Sequence, residues 1–415
     1  MRPLRRRPVD LIVSALIVVA LVVTAAAAWY FSSARRTTLT PATSTPPAQP
    51  YPAGVPAKLR QLWTAPSPAT RSPQVTDTVA LTGDGGTVTA RDPRTGKAVW
   101  TYRRPLPVCA VLAAWSPNSP TALAAYRNSR GCGEVTAIEA TRGIRKATRS
   151  SDADQSVTLQ SDGGYVLSLG PTRFESWGSN LVRGIEYGRV DAPVKPDPGE
   201  HTGRNCRLSS GRTAGDRVAV IEHCDGDPGY RLTVVGAVLN KDEKVTKYGS
   251  TVITSGTAFA PPVVVAMSES AIAVYDGGKN TPEPTPAAIR TFDSNGTETG
   301  RHRVPGGAEL PPGSIATDGE GMATLWTGPA TVVLDTATMR PKFTAAGTRG
   351  PAATVDGKLL IPDAGGYQVV DAASGQREGE VPLRRPPGPD MAIVPALIGA
   401  QVIEQRGQTI TAYGP

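Results

Sequence analysis

Apolar and polar residues alternate in short runs from about residue 60 to the end of the chain, a pattern that predicts β-strands. In VALTGDGGTVTARDPRTGKAVWTY (79–102), two alternating strands flank the turn GDGG, and a third strand follows an acidic turn. Alternation over four to eight residues is typical of half-buried strands. One such unit cannot bury its own apolar faces, so we expect it to recur.

The unit recurs in eight degenerate copies spaced roughly 40 to 50 residues apart, which suits the four-stranded blades of a β-propeller. Gly (44 residues) and Pro (39 residues) provide many turns and disfavour long helices within this region. The copies are 79–102, 122–148, 165–187, 218–248, 272–304, 323–343, 359–381 and 400–415.

The last copy stops after two strands, and an N-terminal segment can complete it. RQLWTAP (Arg60–Pro66) matches KAVWTYR around Trp100, with Trp63 in the place of Trp100. A strand from this segment beside the one that holds Tyr413 would close a ring and leave few exposed sheet edges. We therefore expect residues 58–415 to form an all-β, eight-bladed propeller with velcro closure. Seven blades are possible if the third and fourth copies are miscounted.

An acidic residue opens the second turn of the unit in five copies. A short carboxylate there can accept hydrogen bonds from backbone N–H groups two or three residues later, and a glycine four residues later allows the positive φ that closes the bend. We interpret these acids as turn-formers rather than catalytic groups. The acids are Asp92, Glu139, Asp293, Asp335 and Asp371, and the glycines are Gly96, Gly143 and Gly375.

The N-terminal segment is typical of a membrane anchor. Residues 11–31 contain no charge and would span about 30 Å as a helix, the thickness of a hydrocarbon core. Four arginines lie in residues 1–10, so we expect this tail in the cytoplasm and everything after Phe31 outside. The alternative is a cleaved signal peptide, because TAAAA (24–28) offers small residues at a plausible site.

Residues 37–57 are rich in Thr and Pro and contain no charge. Such a composition favours an extended, semi-rigid spacer. We expect either a stalk that lifts the propeller off the membrane or a linker with no further role.

The charge distribution argues against a nucleic-acid partner. The chain has a net charge of +8, but residues 1–36 hold six arginines against one aspartate and account for +5 of it. The remaining +3 is spread over the whole propeller and provides no basic surface for a phosphate backbone.

The four cysteines occupy equivalent corners of the second and fourth copies, as expected for antiparallel neighbours. Their even number in an exported domain predicts two disulfides, Cys109–Cys132 and Cys206–Cys224. The alternative is a zinc site formed by Cys206, Cys224, His223 and His201. Adjacent residues of a strand point to opposite faces, which makes His223 and Cys224 a poor beginning for a tetrahedral site.

The stretch 79–102 resembles the repeat of the quinoprotein-like (PQQ-like) β-propellers, in which a strand pair is followed by an acidic-x-x-Thr-Gly turn and a strand that ends in Trp. The resemblance implies an eight-bladed propeller. For some members it also implies a quinone-dependent dehydrogenase with adjacent cysteines, a calcium ion and a catalytic Asp. This chain has no adjacent cysteines, and we expect no catalytic residue, cofactor or metal.

We therefore expect a protein similar to the scaffold branch of the family, which includes the propeller lipoprotein of outer-membrane protein assembly. Its expected partners are the lipid bilayer, through the N-terminal helix, and envelope proteins or cell-wall components, through the propeller loops. A ligand-sensing ectodomain and a quinone- or metal-dependent dehydrogenase are the alternatives, since fold alone does not dictate function.

Overall fold

The computed structural model describes residues 8–52, 54–189, 205–253, 260–278 and 285–415. One helix, α1 (Pro8–Phe31), precedes two strands, β1 (Thr38–Thr40) and β2 (Arg60–Pro66). The rest of the described chain is almost entirely strands and turns, grouped into eight antiparallel sheets. The molecule is an eight-bladed β-propeller, so the predicted fold class is confirmed and the seven-bladed alternative is wrong.

The blades follow one another along the chain. Blade 1 contains β3 (Gln74–Val75), β4 (Ala80–Asp84), β5 (Thr87–Arg91) and β6 (Ala98–Arg103). Blade 2 contains β7 (Val108–Ala114), β8 (Thr121–Asn128), β9 (Gly131–Glu139) and β10 (Arg145–Ser150). Blade 3 contains β11 (Thr158–Ser161), β12 (Val166–Leu169), β13 (Arg173–Trp177) and β14 (Arg183–Gly188). Blade 4 contains β15 (Arg207–Ala214), β16 (Arg217–His223), β17 (Tyr230–Leu239) and β18 (Val245–Ile253).

The second half of the ring repeats this order. Blade 5 contains β19 (Val263–Met267), β20 (Ala271–Asp276), β21 (Ala288–Asp293) and β22 (Glu298–Arg303). Blade 6 contains β23 (Ala316–Gly319), β24 (Met322–Trp326), β25 (Ala330–Asp335) and β26 (Pro341–Ala346). Blade 7 contains β27 (Ala353–Val355), β28 (Lys358–Pro362), β29 (Gly366–Asp371) and β30 (Arg377–Pro382). Blade 8 contains β31 (Ile393–Ile398), β32 (Gln401–Arg406) and β33 (Thr409–Gly414), with β2 as its outermost strand.

Blade 8 closes the ring with strands from both ends of the chain, as predicted. β2 pairs with β33 in antiparallel register, with Gln61 opposite Tyr413 and Trp63 opposite Ala412. Trp63 and Tyr413 are both buried. The closure covers the edge of β33 that the truncated last repeat would otherwise expose.

At three junctions between neighbouring blades, an aromatic residue on a strand near the outer edge of one blade packs against a glycine in the repeat turn of the next. The pairs are Trp63 with Gly96, Trp100 with Gly143, and Phe343 with Gly375. The indole N–H of Trp63 donates to the Pro93 carbonyl at 2.9 Å, and that of Trp100 donates to the Ala140 carbonyl at 2.6 Å. The aromatic residue and the turn therefore form one inter-blade contact.

The apolar core is divided into layers between blades. One buried cluster contains residues of blades 1 and 2, including Leu81 and Tyr126, and another contains residues of blades 5 and 6, including Ile289 and Leu325. Each blade thus buries both of its faces against its neighbours, as a propeller requires.

The Thr/Pro-rich segment lies on the disc, which corrects the expectation of a stalk. β1 pairs with the outer edge of β6, so blade 1 has a fifth strand. Later in the segment, the backbone N–H of Gln49 donates to the Asp77 carbonyl at 2.7 Å, and the Tyr51 hydroxyl donates to the carboxylate of Glu320. The sequence prediction missed these contacts because they depend on groups that the closed ring presents, not on the composition of the segment.

The disc has two faces with different loops. The repeat-turn face contains the turns between the first and second and between the third and fourth strands of each blade. The long-loop face contains the remaining connections, including those from one blade to the next. β1 begins at the long-loop end of β6, since Thr38 lies opposite Arg103. The chain from α1 therefore reaches the disc at its long-loop face.

Candidate binding site on the long-loop face

Two cavities open near the centre of the long-loop face. The first, the channel cavity, has a volume of about 560 Å³ and is lined by the innermost strands of several blades. The second, which we call the arginine cavity, has a volume of about 600 Å³ and lies between the loops 67–73, 304–315 and 383–392 and strand β32. Arg71 and Ile315 line both, so the cavities adjoin.

The channel cavity is crossed by an ion pair. Arg212 on β15 of blade 4 bonds to the carboxylate of Asp318 on β23 of blade 6, and its second terminal nitrogen donates to the Ala316 carbonyl at 3.2 Å. Each side chain comes from an innermost strand, where a propeller brings residues distant in sequence together. The pair connects two blades that are not neighbours, and both of its side chains line the cavity.

The arginine cavity combines positive charge with apolar surface. Of the described residues that line it, two are arginines, Arg71 and Arg406, and none is acidic. Neither arginine forms an ion pair or a side-chain hydrogen bond with any other described residue, and the buried Nε of Arg406 has no partner there. The apolar lining residues are Ile315, Pro389, Met391, Ala392 and Val394.

The backbone of the loop that carries Arg71 is held in place by hydrogen bonds to Gln405. The side-chain amide of Gln405, which is 1% exposed, donates to the Thr70 carbonyl at 2.7 Å and to the Ser67 carbonyl at 3.2 Å. The Thr70 hydroxyl in turn donates to the Gln405 side-chain oxygen at 2.7 Å. The loop before blade 1 is therefore bonded to β32 through both the nitrogen and the oxygen of the Gln405 side-chain amide. The Arg71 side chain remains exposed.

The proline-rich segment that leads to Pro389 in the arginine cavity begins at a buried ion pair. Arg385 donates to both oxygens of Glu404 at 2.8–3.0 Å and to the carbonyls of Asp363 and Gly366 at 2.9 Å. The Tyr367 hydroxyl also donates to Glu404. Burial and the adjacent Glu404 carboxylate raise the pKa of Tyr367 well above its usual value, so the hydroxyl stays a donor. Arg385, the residue before the segment Pro386–Pro389, is therefore held in one position.

The repeat-turn residues lie on the opposite face and have the geometry of turn-formers. Asp92 accepts hydrogen bonds from the amides of Arg94 at 3.0 Å and Thr95 at 2.8 Å. The carboxylates of Glu139, Asp293, Asp335 and Asp371 accept comparable bonds from amides of their own turns. These acids are therefore occupied by local structure and do not converge on either cavity.

The cysteines form two disulfides, Cys109–Cys132 and Cys206–Cys224, as predicted. Cys206, Cys224 and Glu222 lie close together, but the two sulfurs are bonded to each other and are not available as thiolate ligands. His223 contacts the ring of Tyr230, while His201 lies outside the described residues. The structure thus disfavours the zinc alternative at this pair.

The sequence prediction missed Arg71, Arg212, Asp318 and Arg406. Arg406 is the last residue of β32 and follows Glu404 and Gln405, and Arg71 lies in a loop that precedes the first repeat. An arginine in either position resembles many other surface arginines of this chain. Only the closure of the ring places residues 71, 315, 391 and 406 around one cavity.

Comparison with known proteins adds little beyond the fold. No protein-family model matches the chain, and no curated protein matches it. Among solved structures, the WD40 domain of Pan2 from Neurospora crassa is similar, with 10% sequence identity over 88% of this chain and 97% of that chain and a TM-score of 0.44. At this score the likeness supports no functional inference. The resemblance to the quinoprotein-like family stays a prediction.

Proposed function

We propose that this protein is a membrane-anchored, extracytoplasmic propeller that binds envelope proteins or cell-wall components through its long-loop face without catalysing a reaction. The observation that supports this proposal best is the short connection between α1 and the disc. α1 is apolar and long enough to cross a membrane. The span from Phe31 to Thr38 can cover no more than about 25 Å. The long-loop end of blade 1 would therefore stay close to the bilayer surface.

Two further features support a binding role. The long-loop face contains both cavities and the inter-blade loops, whereas the repeat-turn face is occupied by tight turns and by part of the segment 42–59. Loops held by a rigid scaffold are common binding surfaces. The five repeat-turn acids, which the sequence predicts to be turn-formers, accept hydrogen bonds from backbone amides of their own turns.

Site-specific photo-crosslinking in intact cells tests this proposal. A photo-reactive amino acid at Gln408, which is exposed on the long-loop face, is expected to capture one or a few defined partners. The matched control is the same residue at Thr95, which is exposed on the repeat-turn face. Equal capture from both positions, or no specific capture from Gln408, would contradict the proposal.

A second candidate function is a ligand-sensing ectodomain, and the two adjoining cavities favour it. Cavities of about 560 Å³ and 600 Å³ lie within the usual size of small-molecule sites. A sensor binds a small ligand and gains thermal stability from it, since a ligand that binds only the folded state raises the free energy of unfolding.

A further inference from the structure

The arginine cavity presents two guanidinium groups with no acidic counterpart. Arg71 is exposed, and its position is fixed by the bonds of the Gln405 amide to the neighbouring Thr70. Arg406 comes directly after Gln405, and its Nε is buried without a hydrogen-bond partner among the described residues. A buried donor without a partner costs free energy, which a bound acceptor would recover.

Three carboxylates lie in or beside these cavities, and each pairs with another arginine: Asp318 with Arg212, Glu404 with Arg385, and Asp390 with Arg349. Glu404 lines the small cavity next to the arginine cavity, but Arg385 and Tyr367 bind both of its oxygens. Asp390, beside Met391, pairs with Arg349 at 3.3 Å and points to solvent with its side chain 92% exposed. The two arginines of the cavity therefore remain available to an external anion, and guanidinium groups bind phosphate and carboxylate oxygens well.

The opposite wall of the cavity is apolar. Met391, Ala392, Val394 and Ile315 line it, and the buried Trp326 packs behind Ala392 and Val394. A simple anion such as phosphate would leave this wall in contact with water. A molecule with a charged head and a hydrocarbon part would satisfy both sides of the cavity.

We propose that the arginine cavity binds an amphiphilic anion, a phosphate or carboxylate head joined to an apolar chain, and that the source is membrane lipid. The head lies between Arg71 and Arg406, and the chain lies along Met391 and Val394. The assignment of the source rests on the proposed function, since the tether to α1 keeps the long-loop face near the bilayer. An anionic lipid there would hold the disc in one orientation.

Native mass spectrometry of the full-length protein in non-ionic detergent tests this inference. Dioctanoyl phosphatidic acid is the probe, dioctanoyl phosphatidylcholine tests the need for net negative charge, and inorganic phosphate tests the need for the apolar part. The wild-type protein is expected to bind one phosphatidic acid at the cavity in preference to phosphatidylcholine. Inorganic phosphate should compete only at far higher concentration.

Arginine variants locate the binding. The double variant Arg71→Gln/Arg406→Gln is expected to weaken phosphatidic acid binding at least about tenfold, since each charge-assisted hydrogen bond contributes on this scale. Arg71→Gln alone changes only an exposed side chain, so it tests the site even if the double variant folds poorly, with an expected loss of about threefold or more. Arg103→Gln, an exposed arginine on the same face outside both cavities, is the matched control and should change binding less than about twofold.

Three outcomes would overturn the inference: unchanged binding in the Arg71 variants, equal binding of phosphatidylcholine, or competition by inorganic phosphate at the same concentration as the lipid. Gln408 also lines the arginine cavity, but the lipid measurement uses the protein without the photo-reactive residue, so none of these outcomes tests the capture of protein partners there. Conversely, failure to capture a partner leaves the lipid measurement on the purified protein unaffected. The two proposals can therefore fail separately.

Discussion

At the scale of single residues, the repeat turn is a docking point for the preceding blade. In three places an aromatic side chain lies against a turn glycine of the next blade. Blade 5 has Gly300 at the equivalent position of its outer strand, and the next turn has Met339 in place of glycine, buried and with a φ of 57°. At this junction the bulky side chain belongs to the turn instead of the strand, and it fills the apolar layer between blades 5 and 6.

Gly96→Ala tests this contact. Gly96 has a φ of 69°, and a Cβ there would lie 2.5 Å from Cγ of Trp63. The control is Gly357→Ala, at a φ of 68° with nothing within 4 Å of its Cβ, so it measures the backbone strain alone. We expect the control to lose about 1–2 kcal/mol of unfolding free energy and Gly96→Ala to lose a further ~1–3 kcal/mol. Equal losses in denaturant titrations would contradict the docking role.

Asp335 makes stability depend on pH. The hydroxyl and amide of Thr338 lower the pKa of its carboxyl below the ordinary 3.8. Because the folded pKa is the lower one, this contribution is present above about pH 4 and is lost as the pH falls through the folded pKa. We expect Asp335→Asn to flatten the decline in unfolding free energy below pH 4, and Thr338→Ala to give an intermediate slope. Identical slopes in denaturant titrations at each pH would contradict this assignment.

At the scale of elements, the N-terminal segment joins the fold twice. β2 completes blade 8 along seven residues, and Trp63 fills the layer next to blade 1. β1 adds only three residues, all of them exposed, to the outer edge of blade 1. Between them, Val55 and Leu59 pack against the cluster that contains Tyr413. We therefore expect β2 to contribute much more than β1 to the stability of the propeller.

Truncation separates the two contributions. Relative to a chain that begins at residue 37, a chain that begins at residue 58 loses β1, the Gln49 and Tyr51 contacts and the packing of Val55, and its melting temperature should fall by about 2–5 °C. A chain that begins at residue 68 also loses β2, which exposes the edge of β33 and removes Trp63, a loss of ~3–5 kcal/mol from the side chain alone. We expect it to aggregate or melt without cooperativity. Similar melting curves by circular dichroism would contradict this order.

At the scale of the whole molecule, the disc is tethered from one side. The chain from α1 meets blade 1 at its long-loop end, and both cavities open on the long-loop face. A spacer that extended away from the disc would allow every orientation. A segment packed on the disc restricts these orientations, and under the proposed topology this restriction would give the proposed lipid site access to the bilayer.

The proposed topology depends on the arginines that flank α1. An alkaline phosphatase fusion at the C-terminus is expected to be active, and a green fluorescent protein fusion there is expected to be dark when exported unfolded. Replacing Arg5, Arg6 and Arg7 with Ser leaves Arg35 and Arg36 as the larger cluster, which should reverse or mix the two signals. A fluorescent, phosphatase-negative wild type would contradict an extracytoplasmic propeller.

The sequence alone determined the features that local chemistry controls. The period of alternating strands predicted a propeller of eight blades with seven left open, and only the structure decided the count. The match between Trp63 and Trp100 gave the ring closure, and the corner positions of Cys109, Cys132, Cys206 and Cys224 gave the disulfides. In each case strand pairing follows directly from pattern and spacing. The sequence also predicts the apolar helix α1, which is long enough to cross a membrane.

Only the tertiary structure decided which residues meet across the ring. Arg212 and Asp318 are separated by more than a blade, and Arg71 and Arg406 come from opposite ends of the propeller sequence. Which residues lie next to them depends on the closed ring of eight blades, and no local sequence pattern specifies these long-range contacts. The same holds for residues 38–51, whose composition predicts an extended chain. The partner groups that fasten them to the disc exist only after the blades have assembled.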